Sequence, residues 1–423
     1  MEIFGLICIG ERMNNEKLPQ KIPRNKHSVV RPEFSRRTFI RNTSLMAAGA
    51  LTGALAGKGC TLSKNTKLGD ISNVDTSKIL NYNPKMGYRR LGKTNLIISE
   101  IVLGAHFNNP SGQHFWAKFV NNELPAEIAR NRTEVVSRCI DHGINFLDIT
   151  YGGEALAYGA ALKTRRDKIY VAADDGEFCM RHKHRRNFAS QMQSVESCLR
   201  RLGTDYLDIW RPQFKHMDGH PDSEIQMCIE VFEKIRKQGK ARFLGMSTHD
   251  RVWSKQVIQK FPQYAMLYMP YTLKSKVKQT DLKSIDRTQL YEPGDQHWWL
   301  KDTRKGLFEM AREHDIGVIA IKPFSAGLIF STSRQNIGQP CKSAPEDYEL
   351  ARLTLAYILS NPDISAIAVG MTLLSEVDND VRASFKRHAL LDDNGIRKLR
   401  KAADRMWANL PKEYRWLKDW EWV

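Results

Sequence analysis

The chain has 423 residues, 42% of them hydrophobic, and a formal net charge of +18 at pH 7. That length exceeds a usual single domain, although α/β barrels run at this size as one unit, and the apolar content is ample for a large core. The basic surplus persists when residues 1–56 are set aside and is scattered along segments such as KTRRDK (163–168) and EKIRKQGK (233–240). With no aromatic-interleaved nucleic-acid motif in it, it reads as solvated surface, so no nucleic-acid partner is expected. The seven cysteines have no CxxC spacing, which argues against a zinc ribbon or an iron–sulfur cluster.

In chain order, the first signal is Ser35-Arg36-Arg37-Thr38-Phe39-Ile40, followed by the weakly apolar run SLMAAGALTGALAG (44–57). At about fifteen residues the run is too short to span a bilayer. The pair of arginines before it resembles a twin-arginine export signal, with Ala54-Leu55-Ala56 as a small-residue cleavage site. That resemblance implies the twin-arginine machinery as a partner and a periplasmic or other extracytoplasmic location. Cys60 invites a lipid anchor, but Lys58 spoils the preceding sequence as a lipidation signal. Residues 57–85 are polar and rich in Asn, Ser, Thr and Lys, as a linker is.

From Met86 onward strands and helices alternate. The strand-like runs are 99–105, 145–150, 168–173, 206–211, 241–247, 264–270, 317–323 and 364–370, with amphipathic segments between them. Eight such repeats predict a closed (β/α)8 TIM barrel over 86–390, preceded by a β-hairpin and followed by a C-terminal helical extension over 391–423. The clearest unit runs from Gly143 to Gly176 and reads strand, Gly-rich turn, helix, strand. Its first strand ends in Asp148 and Thr150 and its second in Asp174 and Asp175, at the strand ends where barrels build their sites.

Seven stretches in this order resemble the aldo/keto reductases. They are MGYRRLGKTNLIISEIVLG (86–104), GINFLDITYGGEALAYGAAL (143–162), RRDKIYVAADDG (165–176), LGTDYLDIWRPQ (202–213), KARFLGMSTHD (240–250), GVIAIKPFSAGLI (317–329) and AIAVGMTLLSEVDND (366–380). The resemblance implies hydride transfer between a dinucleotide, NADP or NAD, and a small carbonyl or sugar-like substrate. The family uses a Tyr as general acid, a Lys and an Asp that tune it, and a His that orients the carbonyl. Asp148 matches that Asp. Tyr151 matches the Tyr, but three residues after the Asp where the family has five. The Lys falls on Asp174 and the His on Gln213.

An unperturbed phenol titrates near ~10 and needs a cation beside it to serve as an acid at neutral pH. A carboxylate at 174 acts in the opposite sense, and it would also repel Asp148 unless a cation or a proton lies between them. Lys322 and Lys215 are the candidate cations, with His106, His216 and His249 as further groups at strand ends. For the dinucleotide, the resemblance implies Ser247 at the nicotinamide, Lys322, Phe324 and Gly327 at the pyrophosphate, and Gly370, Thr372 and Asn379 at the adenosine end. Glu376, near where the family commonly has an Arg, disfavours a 2′-phosphate.

A second reading keeps the barrel and drops hydride chemistry. It would be a metal-dependent lyase, isomerase or hydrolase using His106, Asp148, Asp174 and His249, or a binding protein without catalysis. The aromatics Phe115, Trp116, Trp298, Trp299, Trp416, Trp420 and Trp422 either wall a pocket or seal loops and tail against the barrel.

Overall fold

The structure, a computed structural model, describes residues 74–107, 123–275, 306–330 and 344–420. The export-signal region, Cys60 and the loop aromatics Phe115, Trp116, Trp298 and Trp299 lie outside the described residues, as does Trp422.

A hairpin of β1 (Tyr88–Arg90) and β2 (Ile97–Ser99) precedes eight parallel strands that close into a barrel. These are β3 (Ile101–Leu103), β4 (Phe146–Ile149), β5 (Tyr170–Ala173), β6 (Leu207–Trp210), β7 (Ala241–Ser247), β8 (Tyr264–Pro270), β9 (Gly317–Ile321) and β10 (Ala366–Val369). Closure comes where β10 pairs with β3, Val369 opposite Leu103. All eight lie within the runs expected from the sequence. Between them run α1 (Ala126–Asp141), α2 (Gly152–Leu162), α3 (Phe188–Leu202), α4 (Asp222–Lys237), α5 (Arg251–Lys260), α6 (Leu307–Glu313) and α7 (Pro345–Leu359). After β10 come α8 (Leu374–Asp380), short turns, and α9 (Asp393–Ala408). Among the described residues no helix is long and apolar enough to cross a membrane.

Side chains alternate along each strand, so every second residue points into the barrel. Val102, Phe146, Ala172, Ile209, Met266, Tyr268 and Ile319 fill the interior, and Leu91, Leu96 and Ile98 of the hairpin plug its N-terminal end. The next inward positions on β4, β5 and β6 are Asp148, Asp174 and Arg211. The interior is therefore apolar up to the layer where the polar residues begin.

Arg89 clasps the bottom of the barrel. It is buried, its Nε lies 2.7 Å from Glu100 Oε1, and its Nη atoms donate to the carbonyls of Leu359, Asn361 and Ile364. One guanidinium thus joins the hairpin, the start of β3 and the C-terminal end of α7.

The folded body starts earlier than Met86. Ile79 is buried, and Asn81 Nδ2 donates to the carbonyls of Ile144 (3.1 Å) and Lys168 (2.7 Å). Residues 79–85, expected in the linker, are part of the barrel's lower rim. At the other end, α9 and the tail after it bury Ala402, Met406, Leu410, Tyr414 and Leu417 against Leu328–Phe330, which follow β9.

Removing Arg89 strips Glu100 of its cation and three carbonyls of a donor. Arg89→Met is expected to cost about 3–5 kcal/mol, the range for breaking one side of a buried ion pair. Urea unfolding of the two chains measures it, and a loss below ~1 kcal/mol would show that the clasp is dispensable.

Candidate active site

The C-terminal face of the barrel holds a charged cluster that begins with Arg211. This residue follows β6, and its alternation with Ile209 turns it inward. Its guanidinium forms an ion pair with Asp148 at 2.8 Å, donates to the Ile149 carbonyl at 3.0 Å, and lies 3.4 Å from Thr150 Oγ1. The Tyr268 ring packs on it at 4.7 Å. Burial is the largest influence on Arg211 and works against its charge, but Asp148, Tyr268 and Asp174 outweigh it and hold the group above its usual range. Burial raises the Asp148 carboxyl against the pull of Arg211. A guanidinium does not give up its proton, so the cation of this pair is permanent.

Asp174 stands on the neighbouring strand end. Its Oδ1 accepts from Ser194 Oγ at 2.6 Å and its Oδ2 from the Gln213 amide N–H at 3.0 Å. Burial pushes it up to about 6, in spite of these donors and of Arg211. The repulsion expected between Asp148 and Asp174 is relieved in both anticipated ways, by a cation and by a raised affinity for a proton. The cation is Arg211, which stood in the quoted motif LGTDYLDIWRPQ but was not counted among the candidates. Its signal was there to read: an arginine on the inward phase of a buried strand. Gln213, in place of the family's His, braces the loop, with Nε2 donating to the Thr150 carbonyl at 2.9 Å.

Tyr151 is placed by α2. Glu154, fully buried in the first turn, accepts from the backbone N–H groups of Thr150 (2.8 Å), Tyr151 (3.1 Å) and His106 (2.7 Å), and its Oε1 lies 3.1 Å from His106 Nδ1. The Tyr151 ring lies between His106, 5.6 Å away between centroids, and Gly176, where an added Cβ would come within 2.5 Å of the ring. A residue with a side chain at 176 would displace the tyrosine. Asp175 points away from the mouth and ties the loop to α3 through Ser197 (2.6 Å) and Arg201 (2.8 Å).

Lys322 ends β9 with a left-handed backbone, φ 57°. Burial and then Arg181 lower its ammonium to about 8. Its electrostatic neighbours are Arg181, His216 and His249, not Asp148. His249 is stacked between His216 (4.2 Å) and Trp416 (4.5 Å). For Lys215 the recorded contacts are backbone ones, its N–H donating to His220 Nε2 and its carbonyl accepting from Thr248 Oγ1.

The expected dinucleotide residues divide. Ser247 ends β7 at the mouth and pairs through its backbone with Pro212 and Phe214. In the turn after β9, Phe324 and Gly327 flank Ser325, whose hydroxyl is buried with no hydrogen-bond partner among the described residues. A phosphate is the kind of group that would satisfy it, so this turn fits a dinucleotide. Gly370 fits tightly beneath the carbonyls of Ala105 and His106, each 3.0 Å from an added Cβ. The N–H groups of Thr372 and Leu373 already donate to Glu376, at 2.6 and 3.0 Å. Asn379 is engaged with Arg352, the Tyr348 carbonyl and Asp380, between α7 and α8.

The four proposed metal ligands are not brought together. Asp148 faces Arg211, His106 faces Glu154 and His249 lies in the ring stack, and among the described residues no three His, Cys, Asp or Glu side chains form a group able to hold a metal.

Comparison with known proteins bears on the fold and its relatives. The model of the aldo/keto reductase family matches residues 120–288. The chain is 26% identical over 331 residues to L-galactose dehydrogenase of Arabidopsis thaliana, covering 72% of this chain and 90% of that protein. It is 22% identical over 334 residues to the uncharacterized oxidoreductase YqkF of Bacillus subtilis, covering 71% and 92%. The holo form of aldo-keto reductase AKR11C1 from Bacillus halodurans shares its fold with a TM-score of 0.50 and 21% identity, over 78% of this chain and 99% of that one. The chain is thus similar in sequence and in fold to the aldo/keto reductases, a class of NAD(P)H-dependent oxidoreductases.

Because the folded state raises Asp174 to about 6, it holds a proton there that the unfolded chain, near ~3.9, has released. The contribution to stability is therefore fully present below about pH 4 and is lost as pH rises to about 6. Asp174→Asn should flatten that fall, read as the unfolding midpoint in denaturant at pH 4 to 7. An unchanged slope would mean that Asp174 is ionised throughout.

Proposed function

We propose that this chain is an exported oxidoreductase that transfers hydride between a nicotinamide dinucleotide and a small carbonyl or alcohol. The observation that carries the reading is the buried cation of Arg211, ion-paired to Asp148 and adjoining the loop that holds Tyr151. It answers the main objection raised by the sequence, the loss of the family's Lys.

When bound, the dinucleotide supplies or accepts the hydride. Ser247 would take its carboxamide end and the turn around Ser325 its phosphates. Tyr151 donates the proton to the carbonyl oxygen, and the positive charge of Arg211 favours the phenolate that remains. Arg211 does this as a fixed charge, because it cannot exchange its own proton. Glu154 acts through the backbone as a positioning residue, holding the Tyr151 loop and the His106 loop on one carboxylate. The Glu376 carboxylate sits on the amides of Thr372 and Leu373, which supports NAD(H) over the 2′-phosphorylated form. The relative named L-galactose dehydrogenase adds aldoses to the substrates to assay.

Titration of the purified chain with NADH and NADPH, read by tryptophan quenching, tests the reading. Binding of neither at millimolar concentration would overturn it, and tighter NADPH binding would remove the preference for NAD(H). Tyr151→Phe is expected to lower turnover by about two to four decades with dinucleotide affinity nearly unchanged. Equal turnover in the two chains would take the acid role from Tyr151.

Export is tested separately. Arg36-Arg37→Lys-Lys should hold the protein in the cytoplasm, and the mature form should lack residues before about Gly57. Cell fractionation decides it, and unchanged export of the double variant would remove the twin-arginine reading.

A further inference from the structure

Several buried or nearly buried arginines in the barrel have an assigned counter-charge or carbonyl. Arg89 has Glu100, Arg166 and Arg242 share Asp208, Arg201 has Asp175, Arg211 has Asp148, and Arg132 donates to the carbonyls of Met371 and Thr372. Two further cations are Arg181 and Lys322. The Arg181 Nε donates to the Phe214 carbonyl at 3.2 Å, and neither cation has a carboxylate partner among the described residues.

Both lie at the barrel mouth. Phe214 follows Gln213, so Arg181 reaches over the loop that carries the link to Asp174 and Thr150. Lys322 comes from the opposite side, at the end of β9, with a left-handed backbone that a residue with a side chain adopts at a cost and that clusters at functional positions. Between them stand His216 and His249, rings stacked at 4.2 Å and 23°, with Trp416 closing the far face of His249 at 4.5 Å. Desolvation comes first in holding both imidazoles below their ordinary range, followed by Arg181 and Lys322 for His216, and by His216 and then the two cations for His249. They are thus neutral and do not add to the positive charge.

We propose that Arg181, Lys322, His216 and His249 form an anion subsite that takes a carboxylate carried by the substrate. Two like charges set close together are costly alone and become favourable when an anion enters between them. Burial and the neighbouring Arg181 lower the Lys322 ammonium to about 8, as two cations set close together do. The groups facing Lys322 come from the loops after β5, β6 and β7, the side of the mouth nearest Asp174 and Gln213. The orphan hydroxyl suited to a dinucleotide phosphate is instead on the Ser325 turn. This assignment names a substrate class for the oxidoreductase reading and rests on it for the word substrate, while the subsite itself stands on the geometry above.

Two aldehydes of similar ring size, 4-carboxybenzaldehyde and 4-nitrobenzaldehyde, separate the possibilities by isothermal titration calorimetry on the intact chain. The carboxylated probe should bind about tenfold or more tightly than the neutral one, the size of a charge-assisted contact. Lys322→Met and Arg181→Met should each remove most of that preference, and Lys322→Arg should restore it. Equal affinity of the native chain for the two probes would overturn the proposal. So would methionine variants that weaken NADH or NADPH binding and leave the carboxylate preference intact, since the pair would then serve the dinucleotide. Binding is read without turnover. A chain that prefers the carboxylate yet oxidises no NADH or NADPH would sink the oxidoreductase reading and leave the anion subsite standing.

Discussion

One guanidinium sets the electrostatics of this barrel's mouth. Arg211 is buried where its charge finds little water, and a lone cation there would cost several kcal/mol. Asp148 offsets that cost at 2.8 Å, and the Tyr268 face and the Ile149 carbonyl take further positive edge. The arrangement holds only because the partner is an arginine. An ammonium at the same depth would shed its proton more readily, whereas a guanidinium keeps its charge in almost any surroundings. Asp174 is then left without a full counter-charge of its own, and it is this second acid that titrates near neutrality.

Around this fixed charge the loops are held by carboxylates used against backbone amides. Glu154 gathers three N–H groups from two loops and so locates Tyr151 relative to His106. Asp175, one residue from Asp174, faces the other way and anchors its loop to α3. Gly152 belongs to the same design, for an added Cβ would lie 1.3 Å from the Arg201 guanidinium that Asp175 holds. Adjacent acids therefore divide into one that serves the mouth and one that keeps the mouth in shape.

The barrel was legible because periodicity is local. Each strand's apolar run is visible in its own residues, and all eight fell inside the runs that composition and spacing marked out. The strand ends Asp148 and Asp174 followed from the same pattern. Arg211 escaped notice because its role depends on partners 63 and 37 residues away in the chain (148 and 174), which no local pattern displays. Lys322 was readable as a mouth residue, but its neighbours Arg181, His216 and His249 come from three other loops. The lower rim at Ile79 and Asn81 was hidden for the opposite reason: a polar, Asn-rich stretch looks like a linker until its amides are seen to cap the strand at Ile144 and the turn at Lys168.

The exchange of a lysine for an arginine also constrains the chemistry. A lysine beside a catalytic phenol can pass its proton on; a guanidinium cannot, so in the proposed mechanism Arg211 would act through its field alone. Asp174, raised to about 6, and Lys322, lowered to about 8, are the mouth groups shifted toward neutrality. The hydrogen bonds of Asp174 to Ser194 and to the Gln213 amide mean that a change in its charge is felt on the loop carrying Gln213. Gln213 in turn grips the Thr150 carbonyl, one residue before Tyr151. The acid at the position of the family's lysine is therefore joined through Gln213 to the backbone of the residue before Tyr151.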